Sequence, residues 1–341
     1  MKTLIIGPSW VGDMLMSQSL YRHLKQQTPA REIDVLAPNW CRPVLARMPE
    51  INQAIEMPVG HGSLQWGLRK QIGKQLAHAG YEQAFVLPNS LKSALIPWFA
   101  GIPTRTGWRG EMRYGLLNDL RVLDKDAFPL MVQRYVALSQ PAQAPALTLD
   151  NILYPSLTTD STQLANALSQ FKLTTDNAIA FCPGAEFGPA KRWPDYHYAA
   201  LAKKLIADGL QVWLFGSEKD KETCQHIKNQ LTEQEQGRCH NLAGSTSLPQ
   251  AIDLIAQCQA AVSNDSGLMH IAAAVGTPLV ALYGPTSPGF TPPLSQHAEV
   301  IRLIDGFHKI RKGDADQGYH QSMIDISPEM TYTALQKWLA A

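Results

Sequence analysis

Short apolar runs of strand length alternate with helix-length amphipathic segments along most of the 341 residues, and this alternation restricts the fold more than any other feature. Two strands joined through a helix pair most readily in parallel, because a parallel pair needs a long crossover, and a parallel sheet needs cover on both faces. In the first half, strands are predicted at residues 3–6, 33–36, 83–87 and 104–107, and helices at 13–26, 64–78 and 92–99. The second half repeats the pattern, with strands at 178–182, 211–215, 260–263 and 278–283. Its helices are expected at 196–208, 219–231, 248–258, 267–275 and 328–339. Gly209 suits the residue just past a helix end. Residues 140–160 are rich in Pro, Ala, Thr and Ser without a period, and read as part of an interdomain connection.

A chain of 341 residues is long for one hydrophobic core. The expectation is an α/β protein of two Rossmann-like doubly wound domains facing across a cleft, residues 1–160 and 161–327. A closing helix in 328–341 is expected to pack back on the first domain. The net charge of +1 argues against a nucleic-acid partner. Five cysteines, odd in number and without C-x-x-C or zinc spacing, read as reduced, mostly buried thiols. The apolar run after Met1 is too short for a signal peptide. The nearest approach to a membrane span, residues 271–283, is broken by Gly276 and Pro278, so a soluble protein with no transmembrane segment is expected.

Four strand-to-helix turns hold the residues that could do chemistry. Gly7-Pro8-Ser9-Trp10-Val11-Gly12-Asp13 follows the first strand at the sheet edge where doubly wound folds place ligands. It is neither a P-loop nor G-x-G-x-x-G, and Asp13 on spacing alone is better explained as a helix-start acid. In the second half, Cys182 to Pro194 ends in Lys191-Arg192-Trp193-Pro194; the two cations suit a phosphate group or are simply solvated. Ser263-Asn264-Asp265-Ser266-Gly267-Leu268-Met269-His270 brings a strand onto a helix start, whose unpaired N–H groups form an anion site. There Asp265 or Ser266 is otherwise an N-cap, and His270 a core histidine. Phe215-Gly216-Ser217-Glu218-Lys219-Asp220 offers an acid for ribose hydroxyls, or a capping box between Ser217 and Asp220. Together the turns describe a nucleotide-diphosphate crevice in the second half, with one carboxylate from the first.

At these residues the chain resembles the heptosyltransferase family, whose members share the two-domain GT-B architecture. The family's marks stand as Gly12-Asp13, Lys191-x-Trp193-Pro194, Gly216-Ser217-Glu218 and Asp265 to His270. Stretches around Gly7–Asp13, Gly101–Gly110, Pro183–Pro194 and Lys312-Gly313-Asp314 extend the likeness over essentially the whole chain.

The resemblance implies transfer of heptose from ADP-heptose to the first heptose of the lipopolysaccharide inner core, at the cytoplasmic face of the inner membrane. It implies Asp13 as general base, with Lys191 offsetting diphosphate charge. Gly12, Arg192, Ser217, Glu218 or Asp220, Asp265, Ser266, Gly267 and His270 are the expected donor contacts. An acceptor carrying carboxylates and phosphates leads to a basic surface of Lys92, Arg105, Arg109 and Arg113 in the first domain, with Trp108 as a stacking face. One carboxylate suffices because a diphosphate leaves without a second acid, and with no D-x-D cluster near the phosphate turns no obligatory metal and no cofactor is expected. Domain closure would bring Asp13 over the sugar. A sugar-nucleotide epimerase or a non-catalytic nucleotide-sugar-binding protein fits the same architecture and stays open on the residues alone.

Overall fold

The computed structural model describes residues 1–59, 62–186, 188–306, 310 and 312–339; Phe187, part of the Cys182 to Pro194 stretch, lies outside the described residues. The chain forms two compact units, Met1–Leu157 and Thr158–Ala341. In the first, the strands are β1 (Lys2–Ile6), β2 (Glu32–Ala37), β3 (Gln53–Glu56), β4 (Gln83–Val86), β5 (Thr104–Trp108) and β6 (Asp119–Arg121). Its helices are α1 (Val11–Gln27), α2 (Arg42–Leu45), α3 (Trp66–Leu76), α4 (Leu95–Phe99) and α5 (Met131–Ala137). The second unit opens with α6 (Ser161–Phe171) and holds β7 (Ala178–Cys182), β8 (Gln211–Leu214), β9 (Cys239–Asn241), β10 (Ala260–Asn264), β11 (Leu279–Leu282) and β12 (Ala298–Ile301). Its other helices are α7 (Asp195–Ala207), α8 (Lys221–Asn229), α9 (Glu233–Gln236), α10 (Leu248–Gln257), α11 (Gly267–Ala274), α12 (Gln321–Ile324) and α13 (Pro328–Leu339).

Among the described residues each unit has one six-stranded sheet, ordered β3-β2-β1-β4-β5-β6 and β12-β11-β10-β7-β8-β9, with every pairing parallel. Both orders are the doubly wound Rossmann order, with the direction of winding reversing between β1 and β4 and between β7 and β10. Central strands are apolar on both faces because helices cover both; β7, β8 and β10 are buried throughout. The edge strands β3 and β12 are half-exposed, and with β6 and β9 they lack the continuous apolar run that marks a central strand. They were not predicted for that reason.

Helix ends follow local chemistry. Gly209, at φ 86°, ends α7 with its N–H on Ile206 O and that of Leu210 on Leu205 O, the Schellman pattern. Pro194 occupies the N-cap of α7, one place before the helical position its ring suggests. The predicted helix at 92–99 is a 3-10 turn, Leu91–Ala94, continued by α4. The connecting segment folds on α1: Gln18 donates to Ser156 O at 2.7 Å and accepts from its N–H at 3.0 Å. The terminal helix α13 packs within the second unit. Leu335 and Ala334 enter the core with Leu205 and Val280, and Tyr332 OH donates to Asp208 at 2.7 Å.

A buried carboxylate joins several segments of the first unit. The Asp34 carboxylate, fully buried on β2, accepts from Tyr81 OH at 2.7 Å and Asn52 Nδ2 at 2.8 Å, with Lys2 Nζ at 3.6 Å. Burial and the neighbouring carboxylate push the Tyr81 phenol well up, which keeps it a donor. Tyr81→Phe deprives a buried carboxylate of one partner and should cost about 1–3 kcal/mol. Urea denaturation checks this, and an unchanged midpoint would contradict the assigned role.

Candidate active site

In the second unit the two strands at the winding reversal, β7 and β10, run side by side, so the segments leaving their carboxyl ends must meet. The β7 segment carries Lys191 in a 3-10 turn, Pro189–Lys191, and the β10 segment carries Asp265. Lys191 Nζ lies 2.8 Å from Asp265 Oδ2, both largely buried. Ser266 is the N-cap of α11, and Ser266, Gly267 and Leu268 are half-exposed at the helix start. The first-turn N–H groups of a helix have no partner within it, so the amides that follow Asp265, with the ammonium bonded to Asp265 itself, offer the groups an anion site needs.

Asn264, fully buried, was not singled out from the sequence and holds this arrangement. Its Oδ1 accepts from Trp193 N at 3.1 Å and Tyr198 OH at 3.2 Å, while Nδ2 donates to Pro183 O at 2.7 Å. Pro183 and Trp193 are the two ends of the excursion that carries Lys191, so a single carboxamide closes it. Trp193 is itself buried, with Nε1 donating to Ile326 O at 2.7 Å.

His270, one turn into α11, is 6% exposed, and burial pushes its pKa down to about 4, with Asp265 opposing and Lys191 assisting. It is therefore a neutral imidazole at neutral pH and adds no charge to the site.

Beside it, the capping alternative for Asp220 is realised. Asp220 Oδ2 accepts from Ser217 N at 2.9 Å and Ser217 Oγ at 2.7 Å. A Cβ on Gly184 would lie 2.6 Å from Asp220 Oδ2, and one on Gly216 2.6 Å from Asp220 Cβ, so two glycines make room for this side chain. Arg192 Nη2 is 4.0 Å from its other oxygen. Glu218 is exposed, and its carboxylate lies over Gly244, whose φ of +71° and lack of Cβ permit the approach.

In the first unit Asp13 is half-buried in the first turn of α1, with Gly12 before it; Trp10 is the N-cap and Met14 N closes the turn on Trp10 O at 2.8 Å. Its charge is felt by two buried groups. Burial first, then Asp13, pushes the Cys41 thiol up to about 12 and the Tyr135 phenol well above its ordinary value. All five cysteines are buried and unpaired.

The expected acceptor surface is divided by the structure. Trp108 is buried, its ring against Phe128 and its Nε1 on Arg134 O at 2.9 Å, which leaves no face for a sugar. Arg113 is 1% exposed, its guanidinium on the carbonyls of Pro88 and Trp108, and burial pulls its pKa down to about 10. Arg105 spends its guanidinium on Leu116 O and Ile102 O. These three hold the loops around β5 together. Lys92 is half-exposed and Arg109 exposed.

Two Rossmann units, each with one six-stranded parallel sheet among the described residues, are the domains of a GT-B glycosyltransferase fold. Residues 69–320 match the profile of glycosyltransferase family 9 (heptosyltransferase), and the chain belongs to that family. It is 60% identical over 343 residues to lipopolysaccharide heptosyltransferase 2 of Escherichia coli K12, covering 99% of each chain. Lipooligosaccharide heptosyltransferase 2 of Haemophilus influenzae is 58% identical over 347 residues, covering 100% of each. The solved structure of Escherichia coli ADP-heptose lipopolysaccharide heptosyltransferase II is similar with a TM-score of 0.90 at 56% identity, covering 100% of this chain and 99% of that one.

Asn264→Ala would leave the buried Trp193 N–H and the Pro183 carbonyl without their partner, while the Tyr198 hydroxyl keeps Cys182 O, at about 1–3 kcal/mol for each orphaned group that water cannot reach. Hydrogen exchange should quicken at the Trp193 amide and through residues 183–193, with a lower melting temperature. Unchanged protection at Trp193 would show that the excursion is held by something else.

Proposed function

We propose that this chain transfers heptose from ADP-heptose to the first heptose of the lipopolysaccharide inner core, with inversion at the anomeric carbon and Asp13 as general base. The observation that carries the reading is the Lys191 ammonium held beside the opening amides of α11, where a departing diphosphate would gather charge. The choice of sugar and acceptor follows the full-length similarity to relatives named as heptosyltransferases of lipopolysaccharide and lipooligosaccharide.

An acceptor hydroxyl attacks the anomeric carbon from the face opposite the diphosphate. As the new C–O bond forms and the bond to the diphosphate breaks, the hydroxyl proton passes to the Asp13 carboxylate and ADP leaves with the bonding electrons. A positioned base contributes about 10²–10⁴-fold to such a step. Lys191 and the amides of Ser266 and Gly267 stabilise the charge on the leaving oxygens, and preorganised dipoles act most strongly where water is excluded. Asp265 keeps the ammonium in place, and the neutral His270 offers hydrogen bonding without charge. Arg192 and Ser217 border the donor, while Gly12 allows close backbone approach. Of the two candidate ribose acids, Glu218 is favoured, because the Asp220 carboxylate is engaged by Ser217 and packed between glycines.

Lys92 and Arg109 remain as cations for the anionic acceptor. That acceptor is anchored in a membrane, so the protein works at the inner face of the cytoplasmic membrane. Among the described residues no helix is long and apolar enough to cross one. Leaving-group charge is met by Lys191 and amides rather than by a bound metal.

Mass spectrometry of a truncated core acceptor incubated with ADP-heptose tests the whole reading. A gain of one heptose is expected; free sugar or an isomer released without acceptor would favour an epimerase, and binding without turnover a non-catalytic protein. Asp13→Asn should lower turnover by about a hundredfold or more with ADP-heptose affinity within about twofold. Retained turnover would remove Asp13 from the base role. Excess EDTA should leave activity intact, and a loss restored by added divalent metal would refute the metal-free leaving step.

A further inference from the structure

With Trp108 buried, the aromatic face for an acceptor sugar has to be sought elsewhere in the first unit, and Trp40 has the required properties. It lies in the 3-10 turn Asn39–Cys41 just after β2, and β2 pairs directly with β1. The two following loops therefore emerge side by side at the carboxyl edge, one with Trp40 and the other with Ser9 and the start of α1. Trp40 Nε1 donates to Ser9 O at 2.7 Å, and the buried Cys41 Sγ lies 3.6 Å from the same carbonyl. Ser9 sits four residues before Asp13. Burial and then the Asp13 charge raise the thiol of Cys41, the residue next to Trp40, in keeping with this placement.

Although its N–H is engaged, Trp40 is 53% exposed, so what water meets is largely ring carbon. An anchor for Ser9 needs only an N–H. A lone exposed indole needs no explanation of itself; what singles this one out is that it is anchored beside the turn that carries Asp13. The anchored ring also has little rotamer freedom to lose on binding. A pyranose presents C–H hydrogens on one face and hydroxyls around its rim. A fixed indole face receives the former and leaves the latter to polar groups such as the Asp13 carboxylate.

We propose that Trp40 is the stacking platform for the acceptor sugar, setting one pyranose ring against the indole so that its hydroxyl reaches Asp13. The inference rests on the transferase reading and adds an acceptor subsite to it.

Steady-state kinetics with a deacylated core oligosaccharide as acceptor test it in Trp40→Ala and Trp40→Phe. Loss of the ring should raise the acceptor KM about tenfold or more, as loss of an aromatic stacking partner does elsewhere, with the ADP-heptose KM within about twofold. Trp40→Phe keeps a ring but not the N–H, and should raise the acceptor KM only about threefold. If Trp40 merely anchors the Asp13 turn, both variants lose kcat with the acceptor KM unmoved, and the proposal is overturned. Wild-type protein that makes no heptosylated product removes the transferase reading and this inference together; normal wild-type transfer with an unaltered acceptor KM in Trp40→Ala removes the inference alone. Titration of the oligosaccharide against the ligand-free variants repeats the comparison without turnover, and equal affinity in wild type and Trp40→Ala overturns the stacking role.

Discussion

A single buried carboxamide carries the geometry of the second unit's site. Asn264 ends β10 and touches both ends of the excursion that leaves β7, accepting from Trp193 N and donating to Pro183 O. The position of Lys191 therefore depends on the pairing of two central strands as well as on its own 3-10 turn. Trp193 extends the linkage, since its indole is buried in the core and bonded to Ile326 O just before α13. A flexible ammonium becomes a fixed one because the backbone beneath it is fastened to the sheet and its tip to Asp265.

The first unit solves a similar problem with different groups. In the turn after β1 the Ser9 carbonyl is held from the neighbouring strand's loop by Trp40, with Cys41 beside it. In both units the turn that carries the candidate residue belongs to a strand at the winding reversal, and the neighbouring strand's segment steadies it. Parallel sheets lend themselves to this, because every strand ends at the same edge and adjacent segments are always within reach.

Central strands were legible because their apolar runs are continuous; β7 and β10 were found almost to the residue. Edge strands such as β3 and β12 were not, since half their surface meets water and their sequences are mixed. The basic surface expected of Lys92, Arg105, Arg109 and Arg113 shows a second limit. A sequence records that an arginine is present, but whether its guanidinium meets water or three carbonyls depends on distant chain. Arg113 and Trp108 proved to be internal fasteners for this reason.

The residues alone determined the alternation of strands and helices, the presence of small-residue turns after the strands, and the positions of Asp13, Lys191 and the Asp265–His270 stretch in those turns. Each of these is written in a few consecutive residues, where backbone propensity and spacing act. Only the tertiary structure decided that Lys191 meets Asp265 across 74 positions, that Asp220 caps a turn while Glu218 stays exposed, and that His270 is uncharged. Those outcomes depend on burial and on partners brought together by strand order, and no local window of the chain contains either.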